Sequence, residues 1–180
     1  APLTGNATEV AYLDDNNYGY VSLDEIAVFK HGKKASITFN ALPKDKSYAQ
    51  KEGYTFFMEK EIYEQGAVVS ETIMGRVKNH KVTLENLDDE YLKGIDDVVL
   101  CACGTSYHAA LVASYLFERL AKVRTKVEVA SEFRYRKPYL NKNSLFIVIS
   151  QSGETADTLE ALRIAKEAGL KTLAICNVDN

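Results

Sequence analysis

Residues 96–122, "DDVVLCACGTSYHAALVASYLFERLAK", change rhythm once, and that change decides the fold class. Up to Cys103 the run is apolar without alternation, as in a strand buried on both faces, whereas from Ser106 onward the apolar residues follow a helical rhythm. The same unit returns downstream. "KVEVAS" (126–131) reads as a short strand, "SLFIVIS" (144–150) as a second buried one, "TADTLEALRIAKEAG" (155–169) as a helix stopped by Gly169, and "KTLAIC" (171–176) as a last strand. Strands apolar on both faces and alternating with helices predict an α/β fold, a three-layer α/β/α parallel sheet. Right-handed crossovers then bring the C-terminal ends of all its strands to one edge.

Upstream the pattern differs. "EVAYLDD" (9–15), a turn at "NNYG", "YVSLDEIAVFK" (20–30), a turn at "HGKK" and "ASITFN" (35–40) are short alternating runs punctuated by Gly and Asn, which predicts a short antiparallel β segment. "PKDKSYAQKEG" (43–53) has Pro, Gly and lysines without an apolar period, the composition of a linker. In "YTFFMEKEIYEQGAVVSETIMGRV" (54–77), Phe57, Ile62, Val69 and Ile73 fall at helical intervals, with Glu59, Lys60 and Glu61 facing outward. Gly66 lies inside this helical linker, where a glycine costs about 1 kcal/mol against alanine, so a break or kink is expected. The chain thus divides into segments 1–42, 43–78 and 79–180.

The bulk numbers exclude several classes. With 180 residues and 46% apolar content the chain can bury a core. Its 22 Lys and Arg against 25 Asp and Glu give a net charge of −3. The basic residues are scattered, so no nucleic-acid partner is expected. No leader and no apolar run of about 18 residues is visible, so neither secretion nor a membrane is expected and the reading is cytoplasmic. Cys101, Cys103 and Cys176 lie in apolar stretches and are expected as reduced, buried thiols. With His31, His80 and His108 far apart in sequence, no metal site is expected. A start at "APLTG" and an end directly after a strand lead to the expectation of a piece of a longer chain.

Two turns carry the chemistry. "CGTS" follows strand 97–102 and "SQSGET" follows strand 145–149, and each opens a helix at the same predicted edge. The first amides of a helix lack internal partners and carry the positive end of its dipole, which suits an anion. Gly104 and Gly153 let the backbone turn tightly. The hydroxyls of Thr105, Ser106, Ser150, Ser152 and Thr155 and the amide of Gln151 add neutral donors and acceptors for phosphate oxygens and sugar hydroxyls. Neither turn has the G-x-x-x-x-G-K-[ST] of a P-loop or the G-x-G-x-x-G of a dinucleotide site, so no nucleotide cofactor is expected. A small phosphorylated polyol remains. The competing reading is plain helix capping, in which Ser152, Glu154, Thr155 and Asp157 only start a helix, worth about 1 kcal/mol. Cys103 is read as packed beside the site, since no His neighbour is evident to activate it. "FRYRKPY" (133–139) is read as a solvated loop whose Arg134 and Arg136 pair with acids.

"CGTSYHA" (103–109), "EVASEFRYR" (128–136) and "SQSGETADTLEALRIAKEAG" (150–169) closely resemble the first sugar-isomerase (SIS) subdomain of the glutamine–fructose-6-phosphate aminotransferases. "FMEKEIYEQ" (57–65) resembles the start of that family's isomerase domain, and "YLDD…YG…EIAVF" the tail of its glutamine amidotransferase domain. The resemblance implies a homodimeric enzyme that moves ammonia from glutamine onto fructose 6-phosphate and makes glucosamine 6-phosphate, the first step toward UDP-N-acetylglucosamine. It also implies that Cys103, Gly104, Thr105, Ser106, Ser150, Gln151, Ser152 and Thr155 hold the sugar phosphate, with no cofactor. The family's glutaminase nucleophile is an N-terminal cysteine, whereas residue 1 here is Ala. Its acid/base Glu and His and its Schiff-base Lys are expected beyond Asn180, so no catalytic residue is assigned and the segment alone is expected to be inactive. The family usually has Pro where this chain has Gly66. Two other readings stay open: a sugar-phosphate-binding SIS module of a regulator, which would want a basic DNA-binding helix pair upstream, and a simple aldose–ketose phosphate isomerase, for which His108 is the sole candidate base.

Overall fold

The computed structural model describes residues 7–42, 51–84 and 87–177. It divides into two compact units, residues 1–74 and 75–180.

In the first unit β1 (Glu9–Val10) pairs antiparallel with β5 (Asn40–Ala41), and β2 (Asn17–Val21), β3 (Ile26–Lys30) and β4 (Lys33–Ala35) form an antiparallel meander. The β3–β4 hairpin turns on two residues, His31 and Gly32, at φ 50° and 78°. Positive φ at both positions gives a turn twist that matches the strands. Gly19 is needed where β2 meets β3, because a Cβ there would lie 2.3 Å from the Ala27 carbonyl oxygen. The expected antiparallel segment is present, but its pieces fall differently: only Glu9 and Val10 of "EVAYLDD" pair, "YVSLDEIAVFK" is broken by a turn between β2 and β3, β4 takes up the lysines of the expected turn "HGKK", and residues 36–39 of "ASITFN" lie in no strand. Linker residues 43–50 lie outside the described residues.

The helix α1 (Phe57–Ile73) runs through Gly66 without a break, contrary to the expected kink. A penalty of about 1 kcal/mol does not interrupt a helix of 17 residues whose flanking turns are intact. The Ser70 hydroxyl also donates to the Gly66 carbonyl at 2.9 Å. Lys60 does not face outward either: its side chain is 11% exposed, held between Glu52 at 3.3 Å and Glu64 at 3.6 Å.

The second unit opens with a hairpin, β6 (Val77–Lys78) and β7 (Lys81–Val82), and the short helix α2 (Asp89–Leu92), capped by Asp88, whose Oδ1 accepts from the Tyr91 amide at 2.7 Å. There follow β8 (Asp97–Ala102), α3 (Gly104–Leu116) with a π-helical turn at Phe117–Ala121, β9 (Arg124–Val129), α4 (Ala130–Arg136), β10 (Ser144–Ser150), α5 (Ala156–Glu167) and β11 (Lys171–Cys176). The four strands are parallel in the order β11-β10-β8-β9.

The two central strands, β8 and β10, bury both faces because helices cover both sides of the sheet, whereas the edge strands β9 and β11 are only partly covered. Val98, Leu100, Leu145 and Ile147 pack with Ala110 of α3, while Val99, Cys101, Phe146 and Val148 pack with Phe133 of α4 and with Ala161 and Ala165 of α5. This is the expected three-layer arrangement. Gly169, at φ 79°, ends α5; its amide reaches the Lys166 carbonyl at 2.9 Å, and the Leu170 amide reaches that of Ala165 at 3.1 Å. At the same end of the sheet, where the strands begin, Asn141 donates to Asp96 and Asp97 at 2.8 and 2.6 Å and Ser144 donates to Asp97 at 2.9 Å, tying the first residues of β8 and β10 together.

Candidate functional site

Strand order locates the site before any side chain is considered. From β8 the chain crosses through α3 to β9 on one side, and from β10 it crosses through α5 to β11 on the other. Between β8 and β10 the winding reverses, and beyond the C-terminal ends of strands at such a point is where ligands bind in open α/β sheets. In register, Ala102 of β8 stands opposite Ile149 of β10. The loops that begin at Cys103 and Ser150 are therefore neighbours, and the N-termini of α3 and α5 flank that point. All eight expected residues lie on these two loops and the first turns they start.

On the α3 side, Cys103 occupies the cap position in an extended conformation and makes no side-chain cap bond. Gly104 follows at φ 58°, the left-handed region that favours glycine, and no atom lies within 4 Å of where its Cβ would be. Thr105 is exposed and Ser106 half-buried in the first turn. The first backbone amide bonded back to the cap is that of Tyr107, to the Cys103 carbonyl at 3.3 Å. The amides of residues 104–106 are thus those that helix geometry leaves without an internal acceptor.

The α5 side uses its hydroxyls differently. Ser150 Oγ accepts from the Gly153 amide at 3.1 Å and Ser152 Oγ from the Glu154 amide at 3.1 Å. Both bonds lie inside the loop and brace it. Thr155 is the cap residue, and its side chain makes no cap bond. Leu159 is the first residue bonded back, to the Thr155 carbonyl at 3.0 Å, which leaves the amides of residues 156–158 open in the same way. Gln151 is exposed, and its carbonyl accepts from Cys176 Sγ at 3.8 Å. Plain capping therefore does not account for these hydroxyls: none of them bonds a first-turn amide of its helix.

Three expectations need correction. Residues 133–136 are not loop but the last turn of α4, because Ala130 and Phe133 are drawn into the core and Phe133 packs on Phe146 with ring centroids 5.1 Å apart. Asp157 does not serve as a cap: its Oδ1 meets Arg134 Nη1 at 2.6 Å. Cys176 is exposed, since β11 is an edge strand, while Cys103 is half-buried and only Cys101 is fully buried. Burial, with the Glu128 carboxylate and Cys103 adding to it, pushes the Cys101 thiol up to about 12, so it is inert at neutral pH. The arginines do pair with acids. Arg136 and Lys126 both meet the buried Glu128 at 2.6 Å.

Thr158 is a residue that spacing did not single out, and Arg134 was expected only to pair with an acid, not to reach the first turn of α5. Thr158, 3% exposed on α5, has no partner for its hydroxyl among the described residues. His108 lies exposed on α3, edge-on to Tyr107. A cleft of about 940 Å³ opens elsewhere, at the start of the strands, lined by Arg124, Lys126, Arg136, Lys137 and Tyr139. Two of its cations are committed to Glu128, and it faces away from the point where the winding reverses. Among the described residues no group of three or more His, Cys, Asp or Glu is placed to hold a metal, and no helix is long and apolar enough to cross a membrane.

Residues 91–180 match the profile of the SIS domain family. The chain is 60% identical over all 180 residues to a glutamine–fructose-6-phosphate aminotransferase [isomerizing] of Campylobacter jejuni, covering 30% of it. It is 43% identical over 97% of its length to the enzyme of the same name from Helicobacter pylori, covering 28% of that chain. Among solved structures it resembles the C-terminal domain of glucosamine-fructose-6-phosphate aminotransferase from Francisella tularensis, with TM-score 0.66 and 45% identity over 73% of this chain and 37% of that one. A glucosamine-6-phosphate deaminase from Thermotoga maritima matches with TM-score 0.51 and 32% identity over 66% of this chain and 34% of the other. The chain spans about a third of the length of the curated relatives it matches. It belongs to the SIS domain family, and its whole length aligns with glutamine–fructose-6-phosphate aminotransferases.

Proposed function

We propose that this chain is the sugar-phosphate-binding segment of a glutamine–fructose-6-phosphate aminotransferase, which makes glucosamine 6-phosphate and glutamate from fructose 6-phosphate and glutamine. The observation that carries the reading is the meeting of two helix N-termini without side-chain caps at the reversal of the winding, in a chain 60% identical to such an enzyme. Each N-terminus is equivalent to roughly half a positive charge, so the pair complements a phosphate dianion without a lysine. Thr105, Ser106, Ser152 and Thr155 donate hydroxyls to the phosphate and the sugar. Ser150 and Gln151 shape the second loop, and Cys103 and Gly104 the first.

The segment binds and orients; the glutaminase nucleophile and the groups that move protons on the sugar are supplied by other parts of the enzyme. On this reading residues 1–42 are the tail of the glutaminase domain, 43–78 the linker and 79–180 the SIS part of a cytoplasmic homodimer that needs no cofactor. Changing Ser152 and Thr155 to Ala in the full-length enzyme raises KM for fructose 6-phosphate and leaves glutamine hydrolysis unchanged. An unchanged KM would return those hydroxyls to a purely structural role.

A further inference from the structure

We propose that Arg134 is a positioning residue for this site: by pairing with Asp157 it cancels the carboxylate in the first turn of α5 and leaves that helix end free for the substrate phosphate. The inference rests on the sugar-phosphate reading above.

Asp157 is the only acidic residue in the first turn of α5. A carboxylate there stabilises a bare helix, because it answers the dipole that a bound phosphate would otherwise answer. For a phosphate site the same charge is a competitor, and it repels a dianion bound within the turn. The structure removes it. Arg134 Nη1 lies 2.6 Å from Asp157 Oδ1, and the carboxylate makes no bond to the amides of its own helix. Both side chains are about one-third exposed, so water weakens the pair without dissolving it.

Arg134 is well fixed for this task. Its neighbour Phe133 is 1% exposed and packs on Phe146 of β10, which anchors α4 against the sheet. The guanidinium also lies 4.9 Å from the centre of the Tyr135 ring. Further along α5, Arg163 binds Glu160 and Glu167, a turn before and a turn after it, and Lys166 lies in the last turn, away from the N-terminus. Glu154, ahead of the helix, is exposed to solvent and gives its amide to Ser152. Arg134 is therefore the cation that α4 presents to the α5 N-terminus.

The test uses the full-length aminotransferase carrying this segment. Arg134→Gln leaves Asp157 unpaired and is expected to raise KM for fructose 6-phosphate on the order of tenfold, with kcat and glutamine hydrolysis changed far less. Asp157→Asn is expected to lower KM two- to threefold, since it removes the competing charge and keeps the cation. The double variant returns to about twofold of the starting value, and Arg134→Lys, which retains the charge, to about threefold.

Equal rises in KM for both single variants, with no recovery in the double, would show a structural strut and overturn the proposal. So would a KM unmoved by Arg134→Gln, or one raised by Asp157→Asn if Arg134→Gln fails to fold. Failure of the site reading looks different: Ser152→Ala with Thr155→Ala would then leave KM unchanged, whatever Arg134 does.

Discussion

On the sugar-phosphate reading the loops after β8 and β10 hold one ligand together, yet they are built differently. After β8 the turn is one residue long: Cys103 stays extended, Gly104 swings to φ 58°, and the helix begins. After β10 the chain takes five residues, 151–155, before the helix, and two serines bond the amides of Gly153 and Glu154 within it. Both loops use a left-handed glycine, Gly104 at φ 58° and Gly153 at φ 72°, but only the second adds hydroxyl braces to it. A tight glycine turn leaves its hydroxyls on the first turn of the helix, Thr105 exposed and Ser106 half-buried. A longer braced loop can wrap a ligand from more than one side, and we infer that the second loop contributes more of the binding energy.

Removing hydroxyls from each loop in turn would break that comparison most directly. Ser152→Ala with Thr155→Ala removes two donors to a charged group, worth about 1.5–3 kcal/mol each, and is expected to raise KM for fructose 6-phosphate by more than about a hundredfold. Thr105→Ala with Ser106→Ala is expected to raise it about tenfold, because one hydroxyl is exposed and less constrained. Steady-state kinetics on the two pairs decides the ranking, and a reversed order would sink it. Ser150→Ala is a finer probe: it removes only the brace to the Gly153 amide. The loss of one such bond, about 1 kcal/mol, should raise KM about fivefold without touching any donor to the ligand.

The first loop has its own control. Gly104→Ala meets no atom within 4 Å and suffers only the cost of a left-handed conformation, about 1 kcal/mol. Thermal unfolding of the variant should show a midpoint lower by a few degrees. A loss several times larger would mean that the turn is held by more than its backbone angle.

The parallel sheet could be read from sequence with little error because its signal is local. β8 and β11 begin and end at the expected residues, and the loops after β8 and β10 fall where the apolar runs stop. What escaped depends on distant partners. The helix 130–136 holds only Ala130 and Phe133 as buried residues, too few to show a period, and its arginines are defined by Glu128 and by Asp157, 23 residues further on. Gly66 misled for the opposite reason: its local penalty is real but small against a helix of 17 residues. In the first unit the alternation found the antiparallel segment but not its strands, running through the turn at 22–25 and residues 36–39, because strand bounds depend on pairing that spacing does not encode, as in β1, which meets β5 some thirty residues away.

The smallest expected effects come from the thiols, which report on the two loops separately. Cys103 begins the first loop, and Cys176, at the end of β11, touches the Gln151 carbonyl of the second. Cys101 is the internal control. Its pKa of about 12 leaves roughly one part in ten thousand as thiolate at pH 8, so iodoacetamide should not label it in the folded chain. Because its folded pKa lies above the unfolded value near 9, the stability that burial of the neutral thiol supports is present below pH 9 and declines as pH rises toward 12. Cys101→Ala should flatten that alkaline decline in a pH series of unfolding curves. At pH 8, labelling should follow exposure, with Cys176 first and Cys103 after it. Fructose 6-phosphate should slow Cys103, by severalfold at saturation, as the sugar phosphate settles over the loop it begins. Cys176 should be slowed less, because it touches the second loop only from behind, through a main-chain carbonyl. Protection of Cys176 with Cys103 unaffected would place the ligand on the second loop alone and reduce the α3 turn to a structural corner.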